Sequence, residues 1–285
     1  MVDVKSPSVG TRVRNVRGRL DAIDIKKRAL VGRTALIIAL ILVWDVATRL
    51  ELLDRNFVST PGDVFKALGD SFVDPVVLTA LMTTGSSILA AFVIGTTIGI
   101  VAGTALGLSR ILQDGFVSPL MFLLSTPKSI FLPIFILLYG IGPTSAVVFG
   151  AFEASVFVAI NVAAGMSLVE DRHLTVARAF KASRWQTLQS VVFPSALPGI
   201  FTALWYGIKH AFTGVLIAEL WASSDGVGAV IRVYAEQLKT DKTLALMLTV
   251  TVLAITAGAI WDQIERRLTR WRSSSVTSGA TTGKS

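Results

Sequence analysis

The sequence predicts an all-α protein that crosses a membrane six times. Three observations predict it. Of the 285 residues, 52% are hydrophobic and only 16% are charged. The apolar residues fall in long blocks, and basic residues collect beside alternate ends of those blocks. A soluble domain carries about 25% charged residues, whereas a bilayer core about 30 Å thick asks for about 20 mostly apolar residues per helix.

Six blocks meet that length. The first is Thr34–Leu50, extendable back to Ala29 with Arg33 reaching to the surface along its own alkyl stem. Val76–Leu108 is too long for one simple span and divides into a lead-in helix, Val76–Thr84, and a second span, Gly85–Leu108. The third, Phe116–Ile141, is interrupted by Pro127 and Pro133; the fourth is Thr144–Leu168, the fifth Ala196–Ala222 and the sixth Leu244–Ile264.

Lysine and arginine set the orientation, since acidic residues count little in that rule. Nine Lys/Arg precede Thr34; Arg172, Arg178, Lys181 and Arg184 lie between spans four and five, and Arg266, Arg267, Arg270, Arg272 and Lys284 follow span six. With six spans these groups share one side, which places both termini in the cytoplasm. The other side holds Arg49, Arg55 and Lys66 in one loop and Arg232, Lys239 and Lys242 in another.

The chain divides into a basic cytoplasmic arm (1–28), a six-span domain (29–268) and a tail (273–285) too polar and small-residue-rich to order itself. Its net charge of +8 is distributed beside apolar blocks, which speaks for the lipid bilayer as its environment and against nucleic acid as a partner. There is no cysteine, so thiolate and disulfide chemistry are excluded. His173 and His210 are too far apart to suggest a metal, and no GxxxxGK[ST] phosphate loop occurs, so the chain carries no cofactor of its own and is not an ATPase of that kind.

Two features inside the spans invite a role. Gly95, Gly99, Gly103 and Gly107 repeat every four residues. Such a face lets helices approach closely in lipid; packing within the subunit and lining a path are both open. Glu153, Lys209, His210 and Lys128 are ionisable residues within spans, which are costly and functional by default. Glu153 lies roughly 13 Å from one end of span four and Lys209 roughly 20 Å from one end of span five at helical rise. Three readings stand: a structural Glu153–Lys209 ion pair, a translocation path whose cations attract an anionic solute, and a proton relay. Lys209 and His210, as neighbours, point about 100° apart and need not face one cavity.

Between spans four and five lies a segment too polar to span, 169–194, with helical spacing at Leu174 and Ala177 and again at Trp185, Leu188 and Val192. It ends at Phe193-Pro194. This stretch resembles the EAA loop of binding-protein-dependent ABC importer permeases. The loop's Glu-Ala-Ala falls on Thr175-Val176-Ala177, its glycine on Lys181 and its Leu-Pro on Phe193-Pro194, with the 13-residue step from glycine to proline kept. The run Ala182-Ser183-Arg184-Trp185-Gln186 and the run Val191 to Ile200 are similar to the nitrate/sulfonate/taurine branch. So are Pro61-Gly62-Asp63-Val64, Gly140-Ile141-Gly142, Asn161 to Gly165, and Ala218-Glu219 with Gly226-x-Gly228. Apart from that likeness, Gly226-x-Gly228 reads as a turn signal in an outer loop.

The resemblance implies a type I importer permease fold and a homodimer. It also implies two copies of an ABC ATPase carrying ATP and Mg²⁺, and an extracytoplasmic substrate-binding protein or lipoprotein. It implies that the segment is a coupling helix docking on the ATPase through Thr175, Ala177, Arg178, Phe180, Lys181, Arg184, Trp185 and Pro194. Phe180 and Trp185 are the expected aromatic anchors, because such side chains dominate interface energy; Arg178, Lys181 and Arg184 supply rim charge. The alternative is that Trp185 and Leu188 pack on the chain's own spans. Two departures stand out: Thr175-Val176 replaces Glu-Ala, and Lys181 replaces a glycine that would permit positive φ, so continuous helix is expected there. The implied solutes are small anions such as sulfonates, nitrate or aromatic acids, although relatives also carry uncharged vitamin precursors. The rival classes are an ion-coupled secondary transporter, which would show internal repeats that this sequence lacks, and a membrane scaffold with no transport role.

Overall fold

The computed structural model describes residues 9–52, 54, 57–167, 169 and 171–268. The tail 273–285 and the first eight residues of the basic arm lie outside that set. Every regular element among the described residues is helical. The described residues fall into two compact units, divided between Lys66 and Ala67.

The first unit is dominated by one helix, α1 (Val9–Arg49), in which the apolar Val31–Arg49 is the membrane-crossing length. Its last turn is tied by Arg49 Nε to Asp45 at 2.7 Å. The chain then turns through Glu51 at φ +56° and starts α2 (Pro61–Ser71). That start is an N-cap: Thr60 Oγ1 accepts from the Asp63 amide and donates to the Asp63 carboxylate at 2.7 Å.

The second unit contains α3 (Pro75–Leu108), α4 (Arg110–Ser125), α5 (Leu132–Tyr139), α6 (Pro143–Ser167), α7 (Asp171–Ala179), α8 (Arg184–Thr187), α9 (Phe193–Ala222), α10 (Val227–Glu236) and α11 (Thr240–Leu268). Among the described residues of both units, five helices are long and apolar enough to cross a membrane; the count reaches six when α4 and the stretch Lys128–Tyr139, bent by 97°, are taken as one broken span. The interruption expected at Pro127 is there: the chain turns by 97° at Thr126-Pro127, where a proline cannot continue the helix; the one expected at Pro133 is not, since that proline sits harmlessly in the first turn of α5.

The expected division of the second span does not occur. α3 is one helix of 34 residues, about 51 Å long at 1.5 Å per residue. Nothing crowds Gly85, so nothing forces a break there; Asp74 caps the start by accepting from the Val76 amide.

The core is a three-helix sandwich with α6 in the middle. Along one side, the glycine face of α3 meets α6 step by step: Gly95 against Ala151 and Ala154, Gly99 against Val158, Gly103 against Ala159 and Val162, Gly107 against Met166. A Cβ on Gly95 would stand 2.6 Å from the Ala151 carbonyl. The small-residue stripe is therefore packing within the subunit. On its other side α6 meets α9 through Gly150–Gly214 and Gly165–Gly199, with Phe149, Ala154, Ala211 and Val215 buried beside them. Lipid tails offer no hydrophobic drive between helices, so close backbone approach supplies dispersion contact instead.

Candidate functional site: the coupling turn, the exposed face of α9 and two buried carboxylates

The segment expected to couple begins in α7, whose Ala177 is buried while Val176 and Phe180 stay exposed. At its end the Ala182 amide donates to the Ala177 carbonyl at 3.0 Å and the Lys181 amide to the Arg178 carbonyl at 2.9 Å. Lys181 sits at φ +53°. This is the left-handed closure that glycine usually serves. The expectation of continuous helix is thus wrong: lysine takes the glycine conformation because two carbonyls are satisfied by doing so. The next helix starts with a reciprocal box, in which the Ser183 amide donates to Gln186 Oε1 at 2.8 Å and the Gln186 amide to Ser183 Oγ at 3.2 Å.

Phe180 is 82% exposed and Trp185 64%. Trp185 does not pack on the chain's own spans, although Leu188 and Val192 from the same periodic pattern do. Thr175, Arg178 and Lys181 are exposed, as is Pro194; of Arg184 only the backbone is described. Phe180, Val176 and His173 face Gln186, Val191 and Pro194 across an open cleft of about 680 Å³. Leu188–Val192 form a π turn whose next amide, Phe193, donates to the Leu188 carbonyl. Pro194 supplies no N–H for the Ser190 carbonyl and its ring would clash there, so the widened turn accommodates it. The result is one helical rod, Trp185–Ala222, joining the exposed aromatics to the middle of the membrane.

Inside the bilayer α9 is unusual. Between Ala196 and Leu220 the exposed residues are Thr202, Tyr206, Lys209 and Thr213. Steps of four, three and four put them on one helix face. Thr202 and Thr213 direct their hydroxyls to the carbonyls of Pro198 and Lys209, and Lys209 Nζ stands 5.7 Å from both the Trp205 and Tyr206 rings. A polar stripe of this kind is unsuited to lipid.

The expected Glu153–Lys209 pair is not formed. Glu153, 6% exposed, instead brings Oε2 to 3.8 Å from Lys128 Nζ and 3.5 Å from His210 Nδ1. Lys209 points the other way because it lies on the adjacent helical position. Lys128, 7% exposed at the break of the third span, also lies 4.6 Å from the Phe157 ring, on which His210 stacks at 3.3 Å. Of the four candidate path residues, Lys209 is thus exposed, His210 partly so, and Lys128 and Glu153 buried.

A second buried carboxylate, Glu219, entered the sequence reading through the family likeness of Ala218-Glu219 with Gly226-x-Gly228 but not as an ionisable residue within a span. Glu219, 1% exposed, accepts from Thr84 Oγ1 at 2.8–2.9 Å and from the Gly228 amide at 3.0 Å, while Thr84 Oγ1 accepts from the Val227 amide at 2.8 Å. Its donors are uncharged. Gly226, at φ +92°, lies where any side chain would strike the Glu219 carboxylate, and a Cβ on Gly228 would come within 2.6 Å of Glu219 Cβ. Gly226-x-Gly228 is therefore more than a loop turn: it is the close fit of the start of α10 to α9. Arg232 completes it by donating to the Ser223 carbonyl at 2.9 Å. The signal was present, since the cost rule that selects Glu153 applies equally to Glu219 within span five.

Packed membrane-length helices, exposed aromatics at one end of α9 and a polar face along its middle define a polytopic membrane subunit. The chain matches the family described as the binding-protein-dependent transport system inner membrane component over residues 95–272. It is 30% identical to the taurine transport system permease protein TauC of Escherichia coli K12, covering 87% of this chain and 91% of TauC. It is 26% identical to the putative aliphatic sulfonates transport permease protein SsuC of Bacillus subtilis 168, covering 82% and 85%. Its fold is similar to that of the MetNI methionine ABC transporter in inward-facing conformations, with a TM-score of 0.59 at 21% identity, covering 68% of this chain and 96% of that one.

The chain belongs to the binding-protein-dependent ABC importer permeases. It is a multi-pass inner-membrane subunit that translocates solute and is not itself an enzyme; a separate ATPase and a substrate-binding protein are its partners. Neither rival class, the secondary transporter or the scaffold, fits that membership.

Proposed function

We propose that this permease carries a small anion along the exposed face of α9, and that two copies of the chain enclose that face about a shared axis. The observation that carries the reading is the stripe Thr202, Tyr206, Lys209, Thr213, the four exposed residues of α9 between Ala196 and Leu220. Facing lipid, Lys209 would cost several kcal/mol, about 3 on insertion scales; facing a water-filled path it costs little and attracts anions. The relatives named for taurine, aliphatic sulfonates and nitrate support a sulfonate- or nitrate-sized anion.

Both termini lie in the cytoplasm, as the lysine and arginine distribution argues. Two ABC ATPase subunits, which hold the ATP and Mg²⁺, then receive α7 and α8, one per permease copy. Phe180 and Trp185 anchor that contact, Arg178, Lys181 and Arg184 line its rim, and Thr175, Ala177 and Pro194 shape it. A binding protein or lipoprotein delivers the solute on the other side. ATP-driven closure of the ATPases pulls α7–α8, and the rod Trp185–Ala222 transmits the movement to the stripe.

The test is uptake of radiolabelled taurine, ethanesulfonate and nitrate by the reconstituted complex. Lys209→Gln is expected to lower uptake of whichever anion the wild type carries by about ten-fold, with the complex still assembled. Wild-type uptake in the variant overturns the path assignment.

A further inference from the structure

Behind the exposed stripe lies a charge cluster that the path reading leaves unused. Lys128 comes from the break of the third span, Glu153 and Phe157 from α6, and His210 from α9. Tyr206 stacks on Phe157 at 6.4 Å, and Lys209 is one position from His210. At 3.5 and 3.8 Å, the contacts of Glu153 Oε2 are longer than hydrogen bonds. What Glu153 contributes is therefore its charge rather than a fixed geometry. The groups that face that charge are the Lys128 ammonium and the His210 imidazole.

We propose that Glu153 is a specificity-determining residue that sets the electrostatic potential of the path: it cancels the buried Lys128, so that Lys209 alone presents a full positive charge to the anion. This rests on the path-lining role of Lys209. Chemically, the device solves a release problem. An anion drawn by two or three cations in a low-dielectric site would bind tightly and leave slowly, whereas one exposed ammonium attracts without trapping. Glu153 never touches the solute; it acts through Lys128 and His210. The cluster also explains why a lysine is buried at the break at all, since a cation placed there needs its counter-charge within the same core.

The sign of the effect separates this role from simple structural support. Loss of a structural ion pair harms the protein in the same direction from either side. Loss of a potential-setting pair does not: Glu153→Gln leaves Lys128 uncancelled and makes the path more positive, while Lys128→Gln leaves Glu153 uncancelled and makes it more negative.

Iodide is the probe, with Trp205 as reporter because Lys209 lies 5.7 Å from its ring. Quenching is measured on the assembled complex with its ATPase at constant ionic strength, and the Trp205 signal is the difference from the same protein carrying Trp205→Phe. Glu153→Gln is expected to raise the iodide quenching constant about two-fold and Lys128→Gln to lower it about two-fold, as for one unit charge about 10 Å away in water. Glu153→Asp and the double variant Lys128→Gln/Glu153→Gln are expected at the wild-type value. Shifts of the same sign in the two single variants, or none, overturn the proposal. If one single variant fails to assemble, the other decides: a shift of its predicted sign supports the proposal, and no shift or the opposite one overturns it. Lys209→Gln serves as the separate control: unchanged quenching there refutes the path reading itself, whereas a fall there with no opposed shifts refutes the role of Glu153 alone.

Discussion

Glu153 and Glu219 are both carboxylates buried among membrane helices, yet they are held in opposite ways. Glu153 sits among basic groups, with Lys128 and His210 on the same oxygen. Glu219 sits among uncharged donors, with Thr84 and the Gly228 amide closed around it by two glycines. One lies beside the polar face of α9; the other lies at the far end of α9 from α7 and α8. The difference teaches that charge in a membrane does not define a role. The partners do: cations around a carboxylate adjust a field, and fitted amides around one fix a backbone.

The largest expected effect breaks that contrast at Glu153. Lys128→Met leaves a buried carboxylate uncancelled and should destabilise the solubilised complex by about 3–5 kcal/mol, while Lys128→Met/Glu153→Leu should recover most of it. At Glu219 no cation is available to remove. Glu219→Leu should cost about 1–3 kcal/mol for each donor it orphans, and Thr84→Val should not rescue it, because the Gly228 amide stays unpaired and the Val227 amide loses its acceptor as well. Thermal unfolding followed by fluorescence measures both, and rescue at Glu219 by a second apolar substitution would erase the distinction.

The smallest effect concerns the coupling turn. Lys181→Gly relieves a left-handed conformation that costs a side-chain-bearing residue about 1 kcal/mol, partly offset by added freedom in the unfolded chain. Limited proteolysis between residues 179 and 184 should therefore be unchanged or slower, with uptake retained. Faster cleavage would mean that the lysine side chain, rather than the turn, holds the segment.

Much of the fold was legible because bilayer spans announce themselves by length. The glycine stripe of α3 gave its periodicity, and the exposure of Phe180 and Trp185 followed from their place in a polar interruption. What was hidden depended on tertiary contact. The partner of Glu153 could not be read because Lys128 approaches from a break whose 97° angle no local pattern encodes. Lys181 was misjudged because its backbone is decided by the Ala177 and Arg178 carbonyls rather than by its own preference. The threonines of the stripe carry no individual signal at all; Thr202 and Thr213 matter only because they share the exposed face of α9 with Tyr206 and Lys209, while the other positions between Ala196 and Leu220 are buried or half-buried.

The central claim is that this stripe faces water. The chain has no cysteine, so single cysteines can be placed at Thr202, Tyr206, Lys209 and Thr213 and, for comparison, at Leu204, Ile208 and Phe212. Modification by a membrane-impermeant, negatively charged thiol reagent in the assembled complex is the direct measurement. The account predicts reaction at the first four and none at the other three; equal reactivity at both sets, or none at either, would contradict it.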